Sequence, residues 1–266
     1  VMRPFWSFII TAVSAWTMLF VSLWTLDQSG VLDGMPGRIS YSFTFFMLVM
    51  VILLISLQAG ELTYSLRSSI GGAVFGALGI GLALQTVQPG LLLAYLTGSF
   101  LIGGGMWLTA SLGREVVSAT YLWPLTLVVV LMDTWSVLSP SGITHQIIQE
   151  VQVAERFNFM ILNLPIPGVG LEPILGMGDV LYLGFMAGAV THLGLSSQKY
   201  LTGAGIGFIL CLVALMIWEQ PLPALTFVAP AITIALGKEA ASTTKEILTA
   251  VVFVAVLFGI KTLILG

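Results

Sequence analysis

The membrane character of this chain is decided first by residues 5–26, which read FWSFIITAVSAWTMLFVSLWTL and contain no charged side chain. A helix that crosses the hydrocarbon core of a bilayer needs about 20 consecutive apolar residues. The segment is also longer than the apolar core of a secretory signal peptide, which has about 7–15 residues. It therefore predicts a true membrane span.

The composition of the whole chain agrees with this local prediction. Of the 266 residues, 58% are hydrophobic and only 8% are charged, whereas about a quarter of the residues in a soluble domain are charged. Nine Lys or Arg and twelve Asp or Glu are too few to cover a surface that faces water. We therefore expect membrane lipid to cover most of the surface. The charges are scattered without a basic stripe, so no nucleic-acid partner is expected.

Apolar runs of membrane-spanning length recur along the chain, separated by turns rich in Gly, Pro and Asp. They fall near residues 5–26, 40–58, 69–87, 90–110, 120–139, 174–194, 200–218, 222–237 and 246–265. The runs predict an all-α fold, a polytopic transmembrane helical bundle of about nine helices. One long connection covers residues 139–172, within which residues 143–159 form either an interfacial amphipathic helix or an ordinary polar loop.

Two aspartates lie within apolar sequence that is predicted to be in the membrane. Asp133 follows LVVVLM at residues 127–132, and Asp179 follows LGMG at residues 175–178. An ionised carboxylate at the bilayer centre costs about 2.5–3.5 kcal/mol on the insertion scale, so such residues usually face a cavity and have a function. If the two helices pack side by side, the carboxyls cannot both ionise, and one keeps its proton while the other is a base.

A carboxyl pair of this kind can hydrolyse a peptide bond. The base takes a proton from a water molecule, the acid protonates the carbonyl oxygen, and a gem-diol forms without a covalent enzyme intermediate. The reaction needs no metal and no other cofactor. One cysteine and two histidines, without the spacing of zinc ligands, give no reason to expect a metal site.

Glycine and proline residues near these positions favour access for a substrate. Gly176 and Gly178 remove two side chains beside Asp179 and are expected to loosen the helix there. A helix-packing glycine pair beside a counter-ion aspartate is the alternative interpretation. Pro221 and Pro223 disfavour helix just before them, so they predict irregular backbone at the membrane edge, where a substrate could pair as an added strand.

Three segments of this region resemble motifs of one protease family. Residues 176–179, GMGD, resemble the GxGD signature of the intramembrane aspartyl proteases, the presenilin and signal peptide peptidase family. Residues 220–230, QPLPALTFVAP, look like the PAL motif of the same family. Residues 132–140, MDTWSVLSP, are similar to the presenilin segment in which Tyr-Asp is followed by apolar residues and Cys-Pro, with Met in place of the aromatic residue. Within this family, the segments most resemble those of prokaryotic homologues.

The resemblance covers roughly residues 121–237 and implies a role for each matched position. It implies a presenilin-like single transmembrane domain over residues 1–266, with a helical scaffold at 1–119, catalytic helices at 120–237 and a C-terminal helix at 238–266. Its implied site residues are Asp133 and Asp179 as the catalytic pair, Gly176, Met177 and Gly178 as residues that shape the active site, and Pro223, Ala224 and Leu225 as residues that dock substrate.

The resemblance further implies an intramembrane endopeptidase that cleaves transmembrane helices, such as signal peptides or single-span membrane proteins. The short connection between the aspartates leaves no room for the long presenilin loop that is cut during maturation. We therefore expect a single-chain, multi-pass enzyme without an obligate partner subunit, in the plasma membrane if the source is prokaryotic.

Two other functions suit parts of the sequence. A proton- or cation-coupled secondary transporter or channel could also use an intramembrane carboxylate pair. Against it, no internal repeat relates the two halves of the chain. A prepilin-peptidase-like protease shares the GxGD motif, but the PAL-like segment and the absence of a cysteine cluster disfavour it.

Overall fold

Helices make up most of the protein, as the long uncharged runs predict. The computed structural model describes residues 3–31, 36–61, 90–142, 144–146, 161–218, 222–249 and 252. Within these residues five helices are long and apolar enough to cross a membrane. They are Phe5–Ser29, Gly37–Gly60, Leu91–Gly113, Ala119–Leu138 and Ser197–Trp218. The predicted helical membrane protein is confirmed at this level.

The described elements run in the following order along the chain. The helices are α1 (Arg3–Ser29), α2 (Gly37–Glu61), α3 (Leu91–Gly113, with a π-helical turn at Leu101–Gly105), α4 (Leu122–Leu138), α5 (Met177–His192), α6 (Ser197–Trp218) and α7 (Leu225–Leu236). Two strands, β1 (Ile161–Ile166) and β2 (Gly170–Gly176), lie between α4 and α5. Short 3₁₀ turns at Ala119–Tyr121 and Gly237–Ala240 precede α4 and follow α7.

The predicted spans agree with the described helices to different degrees. The helix bounds agree closely with the spans predicted at 5–26, 40–58, 90–110, 120–139 and 200–218. Helix α7 lies within the span predicted at 222–237 but has only 12 residues. The span at 69–87, most of the span at 246–265 and most of the segment 143–159 lie outside the described residues. Within that segment, residues 144–146 are described and are helical.

An antiparallel hairpin of β1 and β2 lies largely within the predicted connection and corrects the all-α prediction. Its register runs from Ile161 opposite Gly176 to Ile166 opposite Gly170, with an irregularity between Leu162 and Asn163. Prolines within and between the strands exclude helix here because each lacks an N–H and fixes its φ angle. In the loop, Gly168 has a φ of 75°, which glycine adopts without steric cost.

The span predicted at 174–194 consequently begins too early. The backbone remains a strand to Gly176, and α5 begins at Met177 with 16 residues. An apolar run that crosses from a strand into a helix gives one continuous hydropathy signal, so hydropathy alone does not locate the boundary.

The chain divides into two compact units, of which the first contains Val1–Glu115 and Ile147–His192. It holds α1, α2, α3, the hairpin and α5. Trp107 is fully buried and meets the ring of Phe5 edge-on, with ring centroids 5.0 Å apart. Trp16 donates from Nε1 to the carbonyl of Tyr95 at 3.0 Å. A Cβ at Gly98 would lie 2.2 Å from the ring of Trp16, so α1 and α3 can approach this closely only because residue 98 is glycine.

The second unit contains Val116–Gln146 and Leu193–Gly266, and holds α4, α6 and α7. Helix α7 packs against both of the others. Its contact with α6 depends on small residues, since a Cβ at Gly203 would lie 2.6 Å from the Cα of Ile232, and a Cβ at Gly207 would lie 2.5 Å from the Cα of Val228. Close helix approach through glycine is typical of membrane helices.

Candidate active site

Asp133 lies near the C-terminal end of α4, a helix whose ends follow from its sequence. Ser118 accepts a hydrogen bond from the amide of Thr120 and thereby caps the 3₁₀ turn at Ala119–Tyr121 that leads into the helix. The helix ends at Leu138, and Ser139 is extended because the residue before a proline avoids helical dihedrals. Asp133 is half-buried and lies five residues before that end.

The PAL-like segment forms the start of α7 and donates a hydrogen bond to Asp133. Leu225 is the first residue of α7, and its N–H donates to Oδ2 of Asp133 at 2.9 Å. The first amides of a helix have no partner within the helix, and its N-terminus carries a partial positive charge. The carboxylate therefore satisfies one of these amides at the end of the helix that attracts negative charge. Pro223 is buried beside this contact, and Ala224 is half-buried.

Two pairs of threonines join α4 to α7. Thr126 and Thr233 lie with their Oγ1 atoms 2.7 Å apart, and Thr134 and Thr226 lie with theirs 2.8 Å apart. Moving forward along α4 corresponds to moving backward along α7, so the two helices are antiparallel. Asp133 and its partner Leu225 lie next in sequence to the second pair.

Asp179 lies in the first turn of α5, directly after β2. Its Oδ2 accepts a hydrogen bond from the N–H of Gly176 at 3.1 Å. A carboxylate at the third helical position that reaches back to the amide before the helix is half of a capping box. Asp179 is buried, with 8% of the residue's surface exposed. The carboxylate is thus held by the junction between strand and helix.

The GxGD glycines have different surroundings. A Cβ at Gly176 would lie 3.1 Å from Oδ2 of Asp179, so the absence of a side chain leaves room for the carboxylate to reach back. Gly178 is exposed, and a Cβ there would meet nothing within 4 Å. Met177 is half-buried. The expected loosening of a helix by Gly176 is wrong, because Gly176 is the last residue of a strand.

Helix α5 is held against α3 by glycines on both helices. A Cβ at Gly113 would lie 2.0 Å from the carbonyl oxygen of Phe185, and a Cβ at Gly188 would lie 2.0 Å from that of Ala110. Both distances are too short for any side chain. This close packing fixes the position of the helix that carries Asp179.

Two polar contacts to the hairpin were not predicted. The N–H of Gly168 donates to Oδ1 of Asp27 at 2.9 Å, and the hydroxyl of Tyr41 donates to Oε2 of Glu172 at 3.2 Å. Glu172 is therefore a hydrogen-bonded residue of β2. Both contacts tie the hairpin to neighbouring helices of the first unit.

The structure brings the predicted site residues together in two sets. The second unit holds Asp133 with the PAL-like segment, and the first unit holds Asp179 with Gly176 to Gly178. Among the described residues, no group of three or more His, Cys, Asp or Glu could hold a metal ion.

Comparison with known proteins adds no relative to these observations. No family model, no curated protein and no solved structure matches the chain.

Proposed function

We propose that this chain is an intramembrane aspartyl endopeptidase, which hydrolyses peptide bonds within transmembrane helices through Asp133 and Asp179. The observation that carries the proposal is the hydrogen bond from the Leu225 amide to Asp133. It joins two segments that are 92 residues apart in sequence and that resemble two separate motifs of one protease family. A chance resemblance of either segment gives no reason for this contact.

The surroundings of Asp179 support the same proposal. The carboxylate is buried but is held by a backbone amide at the N-terminus of a helix, where the helix dipole favours negative charge. Gly178, next to it, is exposed and has open space where a side chain would be. Open space next to a held carboxylate suits the approach of an extended substrate backbone.

The proposed reaction uses the two carboxyls in opposite protonation states. One carboxylate takes a proton from water as the water oxygen attacks the carbonyl carbon, and the protonated carboxyl gives its proton to the carbonyl oxygen. In the second step the roles are exchanged: the gem-diol loses a proton to the carboxyl that is now ionised, the other carboxyl gives the proton it took from water to the amide nitrogen, and the C–N bond breaks. The products are a carboxylic acid and an amine, and no metal takes part.

Cleavage of a labelled single-helix substrate in proteoliposomes tests the proposal. We expect wild type to cleave it, and Asp133→Asn and Asp179→Asn each to lower kcat by about a hundredfold to ten-thousandfold. Asp27→Asn is the matched control, because Asp27 also accepts a backbone N–H and belongs to neither proposed motif. This variant should keep wild-type kcat.

The pH dependence of the same reaction provides a second readout. A pair that shares one proton is active only between its two apparent pKa values, so kcat should rise and then fall as the pH increases. A monotonic profile would contradict the shared-proton mechanism. If wild type cuts none of a panel of helices, or if either catalytic variant keeps full activity, the protease proposal is wrong. Proton-coupled uptake by the same liposomes would then test the transporter alternative.

A further inference from the structure

We propose that Thr134 and Thr226 are a positioning pair that holds the Leu225 amide against Asp133, an inference that rests on the proposed function. Their Oγ1 atoms lie 2.8 Å apart. Each threonine directly follows one partner of the Asp133–Leu225 hydrogen bond. Two adjacent residues of α4 therefore bond to two adjacent residues at the start of α7, and the two hydrogen bonds lie side by side within the second unit.

The start of α7 has first-turn hydrogen bonds of its own, since the amides of Phe227 and Val228 donate to the carbonyl of Ala224. Prolines at both ends of this stretch nevertheless remove donors. Pro223 has no N–H, and Pro230 has no N–H to donate to the carbonyl of Thr226 four residues earlier. The amide of Thr226 donates to the carbonyl of Pro223 at 3.2 Å. Thr226 therefore closes the turn that contains the PAL-like residues. A hydroxyl on this residue connects that turn directly to α4.

Threonine is well suited to fix a position in apolar surroundings. It is β-branched, so its χ1 angle in a helix is restricted to few rotamers. Its hydroxyl can give or accept a hydrogen bond across a helix interface, where few other polar partners compete. The Thr134–Thr226 bond thus restricts both sliding and rotation of α7 relative to α4 at the position of Asp133.

The Thr126–Thr233 pair provides a matched control in the same two helices. Its Oγ1 atoms lie 2.7 Å apart, and it joins α4 to α7 about two helical turns from Asp133. Thr233 and Thr126 are both buried. Replacing Thr233 with valine removes the same kind of interhelical hydrogen bond, together with the bond that its hydroxyl donates to the carbonyl of Ala229 at 2.9 Å, without touching the neighbours of Asp133.

The test compares Thr226→Val, Thr226→Ser and Thr233→Val by two measurements. Hydrogen exchange of the Leu225 amide in detergent micelles reports the contact itself, without any need for catalysis. We expect Thr226→Val to speed this exchange by about tenfold, and Thr226→Ser and Thr233→Val to leave it within about twofold of wild type. The second measurement is kcat and KM for cleavage of the labelled helix.

We expect Thr226→Val to lower kcat by roughly ten- to a hundredfold with little change in KM, because a small displacement of a reacting group is costly. Thr226→Ser should restore kcat, and Thr233→Val should keep it. The double variant Thr134→Val/Thr226→Val should be no worse than Thr226→Val alone, because both substitutions remove one shared bond.

The outcomes separate the two proposals. Unchanged Leu225 exchange in Thr226→Val, an equal effect of Thr233→Val, or failure of serine to substitute for threonine would each overturn the positioning pair. Unchanged kcat in Thr226→Val, with a wild type that cleaves, would also overturn it. If wild type does not cleave but Leu225 exchange responds as expected, the positioning pair stands and the protease proposal alone is wrong.

Discussion

Asp133 and Asp179 each accept a hydrogen bond from a backbone amide at the start of a helix, but the amides come from very different distances along the chain. Asp179 is bound by Gly176, three residues earlier, at the start of its own helix. Asp133 is bound by Leu225, 92 residues later, at the start of another helix. Both carboxylates thus lie at the positive end of a helix dipole.

This difference determines what each aspartate depends on. The contact to Asp179 is local, so it persists wherever β2 continues into α5 with an intact first turn. The contact to Asp133 is tertiary, so it depends on the packing of α7 against α4 and α6. Substitutions that displace a helix should therefore affect the two carboxylates in different ways.

The largest effect is expected at the packing of α5 against α3. Gly188→Val would place a Cβ 2.0 Å from the carbonyl oxygen of Ala110, and neither backbone can move without moving its helix. We expect a loss of at least about 3 kcal/mol of stability, seen as a large drop in Tm or as aggregation in detergent. Gly205→Val is the control, because a Cβ at Gly205 meets nothing within 4 Å. Equal melting temperatures for the two variants would contradict the described packing.

A smaller and more selective effect is expected at the packing of α7 against α6. Gly207→Ala would place a Cβ 2.5 Å from the Cα of Val228 and should cost about 1–3 kcal/mol. Because α7 carries Leu225, hydrogen exchange of the Leu225 amide should become faster, while exchange of the Gly176 amide should stay as in wild type.

Gly205→Ala again serves as the control for that experiment, since it lies on the same helix in open space. If Gly207→Ala changed both amides equally, the distinction between a local and a tertiary contact would be wrong. If it changed neither, the dependence of the Asp133 contact on α6 would be wrong.

The sequence predicts the local features of this fold better than the tertiary ones. The uncharged run at 5–26 predicts α1, because length and hydropathy suffice to identify a membrane-length helix. The hairpin was missed because β1 is buried on nearly every residue, so it lacks the alternation that identifies a strand. The last residues of β2, from Ile174 onward, continue without a charged residue or a proline into the first residues of α5, which placed the predicted helix start too early.

For the candidate site, too, the sequence predicts the local features but not the tertiary contacts. Apolar flanks single out both aspartates, and family resemblance singles out the PAL-like segment, but no spacing in the sequence predicts that Leu225 contacts Asp133. The threonine pairs were also missed, since a threonine in an apolar helix gives no signal of whether its hydroxyl bonds within the helix or across it. Only the packing of α4 against α7 determines which hydroxyls bond across the interface, and Thr233 does so while also donating to the carbonyl of Ala229 in its own helix.

Glu239 is a third carboxylate that accepts a hydrogen bond at the start of a helix. Its contact is between residues distant in sequence, as for Asp133, but Glu239 is exposed, so it shows what such a contact contributes without burial. It accepts a hydrogen bond from the Ser196 amide at 3.1 Å, just before α6 and 43 residues away. It also pairs with Lys199. The contact is tertiary like that of Asp133, but Glu239 is exposed, and exposed ion pairs contribute little because water screens them. We therefore expect the smallest effect here, a change in Tm below about 1 °C for Glu239→Gln.

The pH dependence gives the sign of that small contribution. The hydrogen bond from Lys199, followed by that from the Ser196 amide, lowers the pKa of Glu239. A lowered pKa in the folded state stabilises the protein above the ordinary glutamate value of about 4.3, and the contribution is lost as the pH falls through the lowered pKa. Any difference in Tm between wild type and Glu239→Gln should therefore appear only above that range, and should shrink in high salt. A large difference in Tm at neutral pH would show that a carboxylate contact to the start of a helix is strong even when water surrounds it. Burial would then not be the reason for expecting a stronger contact at Asp133 than at Glu239.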